Sequence, residues 1–362
     1  CGVVSVPKSL LNTIPSPVDM CSESVAGNLG LASLETVGFQ AADPDPEDAV
    51  ARALPNVKHE VAGLIGSGTF SSTYRCHAAA YGKVAVKVFT IGVCLRPEFT
   101  DIKELKHPNV VRIFQICASE RVGIVMELCG ETLRAALHGP ARDVPAAQDP
   151  VERLRAAADV LAAVAYLHSH SILHRNIGAQ NCFVALDAST LSPVKLGDFM
   201  MARTVTACEM TTWTGTVCYM APEVLSDSSY GFPADVFSSA VLAHEAVCRE
   251  RPYGGSNHVT LLLRVVRGLR PDCGKVPQLG GGGGRDGFAA LLPRWWHEEP
   301  EQRPPARAAA AAIQDVLRLA APATPAEAGQ GPPPGLSASP PAGPSPAGCD
   351  AAPEAPLKAQ RR

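Results

Sequence analysis

Hydrophobic and polar positions alternate in the front part of the chain and recur at helical spacing behind it. The runs Glu60–Gly66, Lys83–Phe89, Val110–Cys117 and Val122–Leu128 are short and apolar, with β-branched residues and polar or glycine borders, which predicts strands. After Gly130 the period changes. Val151–His168 sets Leu154, Ala158, Leu161, Val164 and Leu167 on one face of a helix, and Ala234–Val247 and Arg307–Ala320 predict two more. A β-rich front followed by an α-rich back predicts an α+β chain with two lobes and a cleft between them.

The ends follow neither period. Residues 1–55 read as an extension, partly disordered, in which apolar runs alternate with Pro, Ser and acidic punctuation such as Pro44-Asp45-Pro46-Glu47. The one element considered for residues 1–58 is a strand packed on the small lobe. From about Ala321 the chain is nearly all Pro, Ala, Gly and Ser, too poor in apolar side chains to offset the entropy of ordering, so residues 321–362 are expected to be a disordered tail. Its prolines suit an aromatic groove, but a passive tail is the simpler reading. The run Gly280–Gly284 reads as a flexible insertion between helices.

Composition narrows the function. The chain has 362 residues, of which 46% are apolar, and 32 Lys and Arg against 35 Asp and Glu give a net charge of −3. That balance excludes a polybasic nucleic-acid binder held by phosphate contacts. The 12 cysteines include no C-x-x-C pair, so no zinc or redox framework is indicated. Cys117 and Cys129, inside apolar runs, read as small core residues of a reducing compartment. No apolar run reaches the roughly 18 residues of a membrane span. A cytoplasmic location is expected. The chain begins at Cys1 rather than Met, which reads as a fragment or processed product and leaves an upstream anchor open.

Candidate chemistry begins at Gly66-Ser67-Gly68, between two predicted strands. Two glycines one residue apart let a backbone approach a polyphosphate and offer N–H groups to it, although an ordinary hairpin turn looks the same. Val84-Ala85-Val86-Lys87 then places a lysine in an apolar strand. Alone it would point to solvent; behind a glycine turn, its ammonium can reach phosphates lying beneath.

The decisive stretch is His174-Arg175-Asn176-Ile177-Gly178-Ala179-Gln180-Asn181, then Asp198-Phe199-Met200, then Ala221-Pro222-Glu223. With His107-Pro108-Asn109, Met126-Glu127-Leu128-Cys129-Gly130, Gly215-Thr216, Asp235-Val236-Phe237-Ser238 and Glu301-Gln302-Arg303-Pro304, these residues resemble the protein kinase catalytic domain in order and spacing. The resemblance runs over about 56–320, with a small lobe at 56–129 and a large lobe at 130–320. Trp295-Trp296 and Met220-Ala221-Pro222-Glu223 look most like the tyrosine-kinase-like group.

This resemblance implies ATP and Mg²⁺ as cofactors. Gly66 and Gly68 would cover the nucleotide phosphates, Lys87 would contact the α- and β-phosphates, and Ile65 and Ala85 would be among the nucleotide-binding residues. Met126 would be the gatekeeper, and the backbone of Glu127 and Cys129 would meet the adenine. Asn181 and Asp198 would hold the metal with hard oxygen donors. Glu98 would pair with Lys87 from a helix that lacks its N-terminal part, with Glu104 as the fallback partner. Glu223 and Arg303 would form a buried ion pair. The threonines between Asp198 and Glu223 are candidates for phosphorylation, with Arg175 as a phosphate partner.

The departures are concentrated in one loop. Asn176 stands where an active kinase carries its catalytic Asp, and an amide orients a hydroxyl but is a negligible base; such a loss costs about 10²–10⁴-fold in rate. Gly178 and Gln180 stand where serine/threonine kinases have a Lys and tyrosine kinases an Arg, so neither neutralises charge on the moving phosphoryl group. Met200, Ser71 and Thr73 are milder departures. Three readings follow. The first is a pseudokinase that binds ATP and acts in signalling as regulator or scaffold. The second is a weakly active serine/threonine kinase, and the third an interaction module that binds no nucleotide. The sequence names no protein partner or substrate.

Overall fold

The computed structural model describes residues 45–54, 59–68, 71–89, 102–118, 121–139, 145–186, 190–198, 217–226, 231–255, 258–279 and 284–320. The Pro/Ala-rich tail, Phe199, Met200, the threonines of the segment before Val217, and Glu98 with the helix expected to carry it lie outside the described residues.

The small lobe is built on five antiparallel strands, β1 (His59–Ser67), β2 (Ser71–Ala78), β3 (Gly82–Phe89), β4 (Ile113–Ala118) and β5 (Val122–Glu127), in the order β1-β2-β3-β5-β4. In β2, Ser72, Tyr74, Cys76 and Ala78 are buried while Arg75 and His77 are exposed, the period of two that one covered face imposes. In β3 both faces are covered, and the register fixes which residue looks where. Val86 lies opposite Val125 and Val88 opposite Gly123, while Ala85 lies opposite Met126 and Lys87 opposite Ile124. Successive side chains point to opposite faces, so Ala85, Lys87 and Met126 share one face and Val86, Val88 and Val125 the other.

Two expectations change here. Strand β4 starts at Ile113, because Val110 leaves the sheet to bridge Leu196 of the large lobe. Among the described residues before β1 the element is a helix, α1 (Pro46–Ala53), where a strand was expected; residues 1–44 and 55–58 lie outside the described set. Asp45 caps it by accepting the Glu47 N–H at 2.9 Å, Pro46 opens it, and Glu47 and Asp48 sit at the positive end of its dipole.

The large lobe contains α2 (Leu133–His138), α3 (Pro145–Gln148), α4 (Pro150–Ser169), a two-stranded ribbon of β6 (Cys182–Phe183) and β7 (Lys195–Leu196), then α5 (Pro222–Ser226), α6 (Phe232–Cys248), α7 (His258–Val266), α8 (Gly284–Trp295) and α9 (Ala306–Ala320). Thr132 caps α2 and Asp149, followed by Pro150, caps α4. Helix α6 is buried from Ala234 through Val247 and forms the centre of the lobe, as a helix apolar on every side must. Gly284, expected in a flexible insertion, is the buried first residue of α8; residues 280–283 of that run lie outside the described set. Cys117 and Cys129 are half-buried, at the margin of the core and not inside it. Among the described residues no helix is long and apolar enough to cross a membrane.

The lobes meet along a short seam. Val111 N–H donates to Leu196 O at 2.9 Å, Leu196 N–H to Asn109 O at 2.8 Å, and Gly130 N–H to Val184 O at 2.9 Å. These bonds tie β6, β7 and the loops beside them to the segments that enter β4 and leave β5.

Candidate active site

Buried Asp235, near the start of α6, organises the site from below. Its Oδ2 accepts the His174 N–H at 2.8 Å and lies 2.9 Å from His168 Nε2, and its Oδ1 accepts the Arg175 N–H at 2.9 Å. Burial alone would raise this carboxyl, but the hydrogen bonds from His168 and from the His174 N–H outweigh it and hold the pKa low. The same clamp fixes Arg175 at φ +63°, a left-handed conformation that a non-glycine residue adopts only when its surroundings impose it.

From there a chain of hydrogen bonds climbs to the small lobe. His174 Nε2 donates to Gly197 O at 3.0 Å, so its Nδ1 is the acceptor for the Asn176 N–H at 3.2 Å. This is the neutral imidazole, in line with the downward push of complete burial on its pKa. The Asn176 carbonyl accepts Asn181 Nδ2 at 2.7 Å, and the Asn181 carbonyl accepts the Gly197 N–H at 2.8 Å. The next residue, Asp198, sits at φ +61° and its carboxylate is ion-paired with the Lys87 ammonium from β3. Asn176, Asn181, Asp198 and Lys87, widely spaced in sequence, therefore form one connected group.

The remaining predicted residues surround it. Ala85 is buried beside Lys87 on the same face of β3, with Met126 opposite in β5. Ile65 is 45% exposed on β1, Gly66 pairs with Thr73, and the Gly68 N–H closes the turn on Ser71 O at 2.9 Å. Thr73 in turn lies opposite Lys87. Glu127 directs its carboxylate away from the cleft, where it accepts the Arg112 N–H at 2.7 Å and pairs with Lys195 at 3.0 Å. The Cys129 thiol is pushed up to about 12, first by burial and then by the Glu127 charge. The backbone N–H of Cys129 donates to no backbone carbonyl among the described residues. Glu104 is exposed and makes no ion pair with Lys87; the Lys87 partner among the described residues is Asp198.

The loop around Gly178 is built for glycine. A Cβ there would lie 2.8 Å from the Gln180 side-chain amide and 2.9 Å from Tyr219 Cε2. Tyr219 is held in place by its hydroxyl, which donates to Glu245 Oε2 at 2.5 Å, while His138 Nε2 lies 3.0 Å from the other Glu245 oxygen. Sequence reading assigned no role to Tyr219, Glu245 or His168, and quoted Asp235 only as part of a motif. Asp235 and Glu245 interrupt an apolar helical run, and that interruption was the available signal.

The expected Glu223–Arg303 pair is present and bidentate, at 2.7 and 2.9 Å. The Arg303 side chain is fully buried, donates also to the carbonyls of His297, Pro233 and Glu298, and lies 5.1 Å above the Phe237 ring. Arg270 covers the same ring at 5.0 Å.

The donor set suits a magnesium nucleotide. Asp198 supplies a carboxylate, and Asn181, with Nδ2 committed to Asn176 O, keeps its Oδ1 as the acceptor end. Among the described residues no three His, Cys, Asp or Glu side chains cluster to hold a metal by themselves. A cation with one or two protein oxygens, completing its shell from phosphates and water, is the usual arrangement for Mg²⁺.

Comparison with known proteins agrees with this geometry. Residues 59–312 match the family model described as "Protein kinase domain". The chain is 30% identical over 237 residues to "Raf homolog serine/threonine-protein kinase" of Caenorhabditis elegans, covering 59% of this chain and 28% of that protein. It is 28% identical over 214 residues to "Serine/threonine-protein kinase DCLK2" of Rattus norvegicus, covering 56% and 27%. It is 31% identical over 224 residues to "CBL-interacting protein kinase 4" of Oryza sativa subsp. japonica, covering 55% and 46%. The chain thus spans between about a quarter and a half of the length of these relatives. With a match that runs from β1 into α9 and takes in every element of the site, the chain belongs to the protein kinase domain family.

Proposed function

We propose that this domain binds Mg·ATP between its lobes and transfers the γ-phosphate poorly or not at all, as a pseudokinase that regulates or scaffolds other signalling proteins. The observation that carries this reading is the contrast within one hydrogen-bonded group. Lys87, Asn181 and Asp198, the residue types that hold phosphates and metal, are in place, while the position for the proton acceptor is the amide of Asn176. An amide leaves the acceptor hydroxyl with its proton, and Gly178 supplies no cation to the leaving phosphate. Binding and chemistry are thereby separated. Tyrosine-kinase-like ancestry is part of the same reading, supported by Trp295-Trp296 and by the match to the Raf homolog.

Mg·ATP titrated into the full chain should raise its melting temperature, because a ligand at a hundred times its dissociation constant stabilises the folded state by about 2.7 kcal/mol. Lys87→Met should abolish the shift. No shift in the wild-type protein would favour an empty-cleft interaction module and end the proposal. A second reading, a slow serine/threonine kinase, is favoured by one observation: the relatives above are themselves named as kinases, two of them serine/threonine-protein kinases. Phosphoryl transfer depends mostly on positioning and electrostatics, so loss of the base alone leaves a residual rate.

A further inference from the structure

Helix α1 precedes the segment 59–312 that matches the family, yet it closes one side of the small lobe. Ala49, Val50, Ala53 and the adjoining Leu54 are at most 2% exposed. They form one apolar cluster with Val84, Val86 and Val88 of β3 and Val125 of β5. Strand β5 is cut back to glycine where the helix crosses: a Cβ on Gly123 would lie 2.9 Å from Ala53 Cβ and 3.2 Å from Ala53 O. By the alternation of side chains, the reverse face of these same positions carries Ala85, Lys87, Ile124 and Met126. The helix and the candidate nucleotide residues thus sit back to back on two strands, separated by the thickness of the sheet.

We infer that α1 is a positioning element of the nucleotide site: docked on β3 and β5, it holds the strand that presents Lys87 to Asp198. The functional unit then includes α1 and reaches at least to Asp45, ahead of the family boundary. A sheet face of valines left to water loosens its strands, and a loosened β3 presents Lys87 to the phosphates for only part of the time. Apparent affinity falls in proportion to the fraction of molecules that remain competent. This inference rests on the nucleotide-binding reading for its affinity consequence only; the ordering of β3 by α1 stands apart from any ligand.

The test uses the full chain and attacks the contact from both sides, with Val50→Asp in α1 and Gly123→Val in β5. Ala51→Ser, on the exposed face of α1, serves as the control. Hydrogen exchange without nucleotide should show protection lost over 46–53 and nearly lost over 82–89, where about one molecule in ten keeps β3 ordered, with α6 unchanged. Mg·ATP should bind each variant about tenfold more weakly, in step with the fraction of ordered β3. Val50→Ala should fall between these variants and the wild type, and Ala51→Ser should match the wild type. Release of 46–53 with wild-type protection over 82–89 would overturn the inference. So would an equal loss of protection across α6, which would make α1 a general structural brace. Absence of nucleotide binding by the wild type would instead overturn the proposed function, and protection over 82–89 would still decide this one.

Discussion

At Asn176 the backbone is committed in both directions, its N–H to His174 Nδ1 and its carbonyl to Asn181 Nδ2. Neither bond involves the Asn176 side chain. Asn176→Asp should therefore keep the loop geometry while restoring a carboxylate, and is expected to raise γ-phosphate transfer by about 10²-fold or more. Gly178→Lys behaves differently, because its Cβ must displace the Gln180 amide and the Tyr219 ring. Added to Asn176→Asp, it is expected to lower the melting temperature and to add little rate; a large further gain would show that Tyr219 moves freely. The histidines give a pH prediction. Burial lowers the pKa of His174 and of His244, so the folded protein keeps them neutral where the unfolded chain, near 6.5, takes up protons. Stability should then fall as pH drops below about 6.5, by at most about 1.4 kcal/mol per pH unit for each, until the folded values are reached. Asp235, held low, adds a further loss as pH falls below about 4 toward its folded pKa, whereas Asp159, raised mainly by burial, acts with the opposite sign above its ordinary value near 3.8. A melting temperature flat between pH 7.5 and 5 would contradict this. The departure at Asn176 was legible through the resemblance of its motif to the kinase catalytic loop. The ion pair of Lys87 was not, because it joins residues 111 apart through side-chain positions that only the closed fold fixes.

Among the elements, the long helices were the most legible. α4, α6 and α9 lie within two residues of the ranges read from apolar spacing, because each is long enough to repeat its period several times. Helix α1 escaped notice for the opposite reason: eight residues whose buried face is two alanines and a valine carry almost no periodic signal. The signal it did carry was mistaken for punctuation, since Asp45-Pro46-Glu47 is a cap, a first-turn proline and a first-turn acid. Arg303 shows what ties elements together. It joins Glu223 of α5 to the Pro233 carbonyl in the first turn of α6 and to the Glu298 carbonyl that follows α8. Arg303→Ala should leave the Glu223 carboxylate unpaired in a site only 14% exposed, at a cost of about 3–5 kcal/mol. Arg303→Lys should recover only part of this, since an ammonium cannot reproduce the two parallel bonds or the stacking on Phe237. Equal melting temperatures for Arg303→Lys and wild type would contradict that account.

Across the whole molecule, the site draws on both lobes: Lys87, Ala85 and Met126 from the small sheet, Asn176, Asn181 and Asp198 from the loops beside β6 and β7. The two-lobe architecture was legible from the change of hydrophobic period at Gly130, and the family from the order of its motifs. The support beneath the site was not, because Asp235, Tyr219 and Glu245 act through contacts between distant segments. The central claim is that an intact nucleotide site has been separated from phosphoryl transfer. Transfer of labelled γ-phosphate from Mg·ATP, to the full chain itself and to a generic protein substrate, tests it most directly, with Lys87→Met and Asn176→Asp run alongside. The account predicts no signal from wild type or Lys87→Met and measurable transfer from Asn176→Asp. Wild-type transfer as fast as that of Asn176→Asp, and abolished by Lys87→Met, would contradict it and identify a working kinase.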